Sequence, residues 1–99
     1  MRIISRKTLR EFWEQSNCTD SEQPLKAWYD EVTKVDWQKP SEIKAQYKNA
    51  SILKDSRVVF NIHGNTYRLV VKINYDFGVI YVRFVGTHKQ YDKINANEV

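Results

Sequence analysis

The sequence predicts an α+β fold, with N-terminal helices packed on one face of a small, mainly antiparallel sheet. Two observations predict it. Apolar residues recur at helical spacing between Leu9 and Val35. From about residue 51, β-branched and aromatic runs take over, separated by short turn signals. Helices first and a strand meander after them give segregated layers rather than an alternating α/β sheet. The chain has 99 residues, of which 41% are apolar, which suits a single domain over residues 1–99 with one core.

Each element has its own local reason. Ile3-Ile4 suits an edge strand, and Ser5 is placed to cap the helix behind it. Leu9, Phe12 and Trp13 then follow at the spacing of one buried stripe. Asn17-Cys18-Thr19-Asp20 breaks that helix. A second begins at Ser21-Glu22-Gln23-Pro24, and Leu25, Trp28, Val32 and Val35 mark its apolar face. The two helices are expected to pack as an antiparallel pair. Pro40-Ser41 is expected to stop the second helix, with Ser41 capping a short turn through Ile43, Ala45 and Tyr47. All three tryptophans fall at helical spacings suited to the core, and Trp37, beside Pro40, is the one most open to a partner surface.

Three strands are expected at Arg57–Ile62, Thr66–Asn74 and Val79–Val85, joined through His63-Gly64-Asn65 and Asp76-Phe77-Gly78. Alternation puts Val58, Phe60 and Ile62, Leu69, Val71 and Ile73, and Ile80, Val82 and Phe84 on the helix side. The opposite face then carries Arg57 and Asn61, Arg68 and Lys72, and Tyr81 and Arg83. It is cationic, holds an aromatic between the charges, and is poorly covered by helices.

Charge supports the same picture. Sixteen Lys and Arg against twelve Asp and Glu leave +4, and most of the excess lies in the second half of the chain. A basic balance suits a polyanionic partner. No apolar run approaches the roughly 18 residues of a membrane span. The Met-Arg-Ile-Ile-Ser-Arg-Lys start lacks the apolar stretch of a secretory signal, so a cytoplasmic protein is expected. One cysteine, Cys18, allows no internal disulfide, and with two histidines it offers no metal site. Three glycines exclude a Gly-rich phosphate loop, so no cofactor is expected.

Register focuses the chemistry. A tight turn at Asp76-Phe77-Gly78 sets Arg68 opposite Val85 or Gly86, two or three residues from His88. The His63–Asn65 turn folds to the same end. Arg68, that turn and Thr87-His88-Lys89-Gln90-Tyr91 therefore converge on one rim beside Arg83. Arginine can grip a phosphate with two N–H groups, histidine and tyrosine can move protons, and tyrosine can stack on a base. Arginine or lysine on a sheet face more often serves solubility or edge protection. Here the alignment of Arg57, Arg68, Lys72 and Arg83 on one face argues for a shared task.

The string Val-Phe-Asn-Ile-His-Gly-Asn-Thr-Tyr-Arg-Leu-Val-Val-Lys-Ile-Asn-Tyr from Val59, followed by Val-Ile-Tyr-Val-Arg-Phe-Val-Gly-Thr-His-Lys-Gln-Tyr-Asp to Asp92, resembles HigB-type toxins of the RelE superfamily. Ile-Ile-Ser and the helix pair behind it extend that resemblance over nearly the whole chain. It implies a RelE-like fold and a ribosome-dependent mRNA endonuclease. The implied partners are a HigA-type helix-turn-helix antitoxin, forming a heterotetramer with the toxin, and the translating ribosome with its mRNA. It implies that Arg68 steadies the phosphate and that His88 and Tyr91 form the catalytic rim. Arg57, Asn61, Lys72, Arg83 and Lys89 are then the RNA-binding candidates. Relatives often have Gly where this chain has His63, and no role is carried onto that histidine.

The chemistry fits a metal-free ribonuclease that uses the substrate's own 2′-hydroxyl as nucleophile. Two readings from other classes use the same residues. One is a non-catalytic RNA-binding domain that stacks bases on the basic sheet face. The other is an interaction module whose basic groove receives an acidic peptide. Both predict that His88→Ala and Tyr91→Phe leave function intact, and the nuclease reading predicts that they do not.

Overall fold

Ser5 separates two elements: the strand β1 (Arg2–Ile4) ends before it, and helix α1 (Arg6–Trp13) starts after it. Its hydroxyl accepts the Thr8 N–H at 3.3 Å, which satisfies one of the open donors of the first turn. Leu9, Phe12 and Trp13 are buried from this helix. A 3-10 turn at Thr19–Ser21 leads into α2 (Glu22–Thr33), which buries Leu25, Trp28 and Val32. The computed structural model describes residues 1–99.

The segment after α2 departs from expectation. The helix ends at Thr33, well before Pro40, and Pro40 is the first residue of a further helix, α3 (Pro40–Gln46), with Lys39 at its cap position. Ser41 is therefore inside the helix and caps nothing. Proline suits that first position because its missing N–H would have had no helical partner. Trp37 is not open to a partner: it is 3% exposed and stacks on Phe60 with centroids 6.1 Å apart. Its indole N–H donates to Gln46 Oε1 at 3.2 Å.

The sheet has five strands: β1, β2 (Ser51–Ile52), β3 (Arg57–Ile62), β4 (Tyr67–Asn74) and β5 (Val79–Thr87), followed by the single turn of α4 (His88–Tyr91). Spatial order is β1-β5-β4-β3-β2. β1 runs parallel to β5 and every other pair is antiparallel. The fold is thus α+β, as expected, with β2 as an edge strand too short to leave a sequence signal.

The β4–β5 register explains which side chains reach which side. Lys72 pairs with Tyr81 and Arg68 with Gly86, and the register shifts at Val70/Val71. Val71 pairs with Val82 and Val70 with Phe84, which leaves Arg83 as the extra residue of a β-bulge. The bulge reverses alternation beyond it. Val82 and Val85 both pack on the helix-side core, whereas Phe84, expected there, packs on the opposite side.

That opposite side is not bare. Val59 and Val70 lie between its polar positions, and with Phe84 they form an apolar strip covered by Tyr91, Ile94, Ala96 and Val99. The C-terminal segment thus crosses the middle of the sheet. It divides the expected cationic face into a rim end at Arg68 and a far end at Lys72.

Candidate active site

The rim is built from three pieces of chain. The hairpin between β3 and β4 turns through His63 and Gly64, both in the left-handed region at φ 55° and 62°. Glycine takes that conformation without strain, while histidine needs neighbours to hold it there. β4 brings Arg68 beside the hairpin. β5 ends opposite, where the His88 N–H donates to the Thr66 carbonyl at 3.2 Å.

α4 is short but well fastened. The Thr87 hydroxyl accepts the Gln90 N–H at 3.1 Å, and Gln90 Oε1 accepts the Thr87 N–H at 2.9 Å. This reciprocal cap fixes one helical turn that could not persist alone. Gly86 makes room for it. A Cβ there would fall 2.5 Å from Phe84 Cζ and 2.7 Å from Gln90 Oε1. The cap sets His88 and Tyr91 on one turn, and His88 Nδ1 lies 3.4 Å from Asp92 Oδ2. Both side chains are more than half exposed and form no hydrogen bond with each other, and His88 Nε2 has no hydrogen-bond partner in the chain.

Arg68 is 9% exposed, and its guanidinium lies 5.8 Å from the centre of the Tyr91 ring. Only one of its nitrogens is engaged. Nη1 donates to the carbonyls of Asn65 at 3.0 Å and Tyr67 at 3.4 Å. The Nε–Nη2 edge keeps its donors, which is the geometry that takes two oxygens of one phosphate. A cation held this way has its orientation set before a ligand arrives.

The structure thus brings Arg68, His88 and Tyr91 to one rim, and Lys89 is exposed beside His88. Asn61 is the cross-strand partner of Arg68 and is half-buried. Arg83, the bulge residue, is exposed. Lys72 is exposed at the far end, where it shares a groove of about 370 Å³ with Ser56, Asn74, Asp76 and Tyr81. Arg57 has a different place. It is 9% exposed, its Nε donates to the Val99 main-chain oxygen at 3.0 Å, and Nη1 lies 3.9 Å from Asp55. It anchors the C-terminal segment instead of facing an open surface.

Sequence reading missed two carboxylates. Asp92 is four residues after His88, a spacing that carries meaning only once a helix is recognised beyond β5. Asp20 accepts the Tyr67 hydroxyl and stands 3.6 Å from His63 Nε2. That hydrogen bond, with burial second, pushes the Tyr67 hydroxyl up to about 12, so it remains a donor. Burial, with Asp20 second, also raises the Cys18 thiol, which does not favour a thiolate nucleophile. No group of three or more His, Cys, Asp or Glu side chains stands together in a way that could hold a metal ion. No helix is long and apolar enough to cross a membrane.

Comparison with known proteins agrees with this architecture. Residues 21–94 match the HigB_toxin family, described as the RelE-like toxic component of a toxin–antitoxin system. The mRNA interferase toxin HigB of Escherichia coli (strain K12) is 32% identical over 98 residues, covering 97% of this chain and 92% of that protein. The mRNA interferase HigB proteins of Escherichia coli O157:H7 and Shigella flexneri match to the same extent. The match spans both the helical half and the rim that carries Arg68, His88 and Tyr91, and the chain belongs to the HigB toxin family of RelE-like toxins.

Proposed function

We propose that this chain is a ribosome-dependent mRNA endonuclease whose activity halts translation, with Arg68, His88 and Tyr91 as its catalytic residues. The observation that carries the reading is the Arg68 guanidinium, held through Nη1 while its Nε–Nη2 edge stays unbonded beside α4. The names of the relatives, mRNA interferases, support the substrate.

The reaction uses the RNA's own 2′-oxygen. It attacks the adjacent phosphorus, the bond from phosphorus to the 5′-oxygen breaks, and the products are a 2′,3′-cyclic phosphate and a free 5′-hydroxyl. One proton must leave the 2′-hydroxyl and one must reach the departing 5′-oxygen. His88 and Tyr91 are the groups at the rim that can exchange them. Arg68 stabilises the charge that builds on the phosphorane oxygens, and Tyr91 can also stack on a flanking base. No step needs a metal ion, and DNA, lacking the nucleophile, survives. The ribosome supplies the substrate geometry that three side chains alone do not enforce. Asn61 and Lys89 contact RNA beside the rim, Arg83 contacts it at the bulge, and Lys72 contacts it at the far end of the face.

The partner is a HigA-type helix-turn-helix antitoxin that forms a heterotetramer with the toxin, and the site of action is the cytoplasm. Induction of the chain alone should arrest growth, and co-expression of the antitoxin should restore it. Purified protein should cut mRNA on translating ribosomes in a reaction that DNA does not support. Equal cleavage of naked RNA would remove the ribosome from the mechanism, and normal growth with soluble toxin present would overturn the reading.

A further inference from the structure

The face of the sheet that carries the helices holds a second polar cluster at the same rim, and nothing in the proposed chemistry uses it. Asp20 sits in the 3-10 turn between α1 and α2. One of its oxygens accepts the Tyr67 hydroxyl, and the other stands 3.6 Å from His63 Nε2. Both partners belong to one stretch of chain, 63–67, which forms the β3–β4 hairpin and the first residue of β4. That stretch also provides the two carbonyls, Asn65 and Tyr67, that hold Arg68 Nη1.

We infer that Asp20 is a positioning residue for Arg68, acting through the Tyr67 hydroxyl. Residues 63–66 are exposed, and His63 holds a left-handed backbone. Left to itself, such a turn samples several conformations, and the Asn65 carbonyl moves with it. Asp20 ties the strand end of the turn by accepting the Tyr67 hydroxyl, and stands 3.6 Å from His63 Nε2 on the turn. Tyr67 is further seated by an edge contact with Phe12, with ring centroids 5.4 Å apart. The carbonyls are thereby fixed, and the free edge of the guanidinium keeps one direction. The helical half, which touches no substrate in this scheme, thus sets the aim of the phosphate-binding side chain.

The inference rests on Arg68 being the phosphate-binding residue, so the test separates the two ideas. Tyr67→Phe removes the hydroxyl and keeps the ring against Phe12. Asp20→Ala removes the whole clamp, and Asp20→Asn keeps an acceptor for Tyr67 while discarding the charge beside His63. The first readout is the Arg68 Nε–H signal in the NMR spectrum of the free protein, assigned by its loss in Arg68→Lys. It should be a single sharp line in the wild type, broadened or split in Tyr67→Phe and Asp20→Ala, and largely restored in Asp20→Asn. The second readout is cleavage at saturating ribosomes. It should fall about tenfold in Tyr67→Phe, while ribosome affinity stays within about twofold, because misaim costs the chemical step and leaves docking alone. A lowered melting temperature with an unchanged Arg68 signal and unchanged cleavage would overturn the inference and leave Asp20 a structural tie only. Wild-type cleavage in Arg68→Ala would overturn the catalytic reading instead, whatever the NMR signal shows.

Discussion

The two ends of the open sheet face carry similar charges and are built differently. At the rim, Arg68 is 9% exposed, bonded through one nitrogen and roofed by an aromatic ring. At the far end, Arg57 is tied to the C-terminal segment, while the Lys72 side chain is exposed and forms no hydrogen bond or ion pair, and its cross-strand neighbour Tyr81 is 39% exposed. Between them runs the apolar strip of Val59, Val70 and Phe84 under the C-terminal segment. A cation fixed before its ligand arrives can favour a transition state. A free lysine, hydrated and mobile, contributes mainly to attraction. One surface therefore divides into a part suited to chemistry and a part suited to docking.

Arg68→Ala tests that division most severely. Removing one preorganised electrostatic contact costs about 3 kcal/mol, a rate loss of roughly 10²-fold or more. Arg68→Lys should restore little of it, because an ammonium cannot take two phosphate oxygens and also hold the Asn65 carbonyl in the same plane. Single-turnover cleavage on ribosomes measures the loss, and a thermal melt shows that the variant is folded. If folded Arg68→Ala cuts as fast as wild type, the rim is not the chemical end.

His88→Ala should lower the chemical step on the order of 10²-fold while ribosome binding stays near normal. Asp92→Asn should act in the same direction but less, since the carboxylate stands 3.4 Å from His88 Nδ1 at an exposed position and forms no hydrogen bond with it. Comparable losses of binding and cleavage in both variants would make α4 a docking element, and the contrast between the two ends would weaken.

Gly86→Ala asks whether the rim depends on the architecture behind it. The new Cβ would collide with Phe84 and with Gln90 Oε1, half of the reciprocal cap on α4. Overpacking of this kind costs about 1–3 kcal/mol in stability. His88 and Tyr91 should shift with the helix, so cleavage should fall although no reactive group has changed. Full activity with a normal melting temperature would show that α4 tolerates displacement and that its cap is dispensable.

How much of this could be read from the sequence depends on the range of the interaction. Alternation and turn residues mark β3, β4 and β5, and counting back from the hairpin narrows the partner of Arg68 to Val85 or Gly86, of which the structure has Gly86. The helical stripe of Leu9, Phe12 and Trp13 was equally legible, because a face that packs on a core repeats locally. The bulge at Arg83 left no local mark, since an extra residue between Val82 and Phe84 looks like ordinary strand. Phe84 was consequently assigned to the wrong side. Arg57 was placed on an open face because the segment that covers it lies 42 positions away. The same distance problem hid Asp20, which meets Tyr67 across 47 positions. Asp92 was close in sequence to His88, but its meaning required a helix of one turn, too short for periodicity to register. The strand-borne half of the candidate site is therefore legible in the sequence, and the contacts that remote segments make with it are not.

The smallest expected effect lies at the far end. Lys72→Ala should leave the single-turnover rate at saturating ribosomes unchanged and weaken binding modestly. A lysine that contacts one phosphate contributes by displacing a condensed counterion. Its loss should therefore reduce the slope of log affinity against log salt by about 1. Tyr81 lies opposite in the register, so Tyr81→Ala should also weaken binding, but without changing that slope, because stacking releases no counterion. Measured across a salt series, the two variants separate charge from stacking at a site where neither should alter the chemistry. If Lys72→Ala instead slows cleavage at saturation, the apolar strip does not partition the face. The reacting phosphate would then extend its influence past Val70, and the far end would belong to the active site.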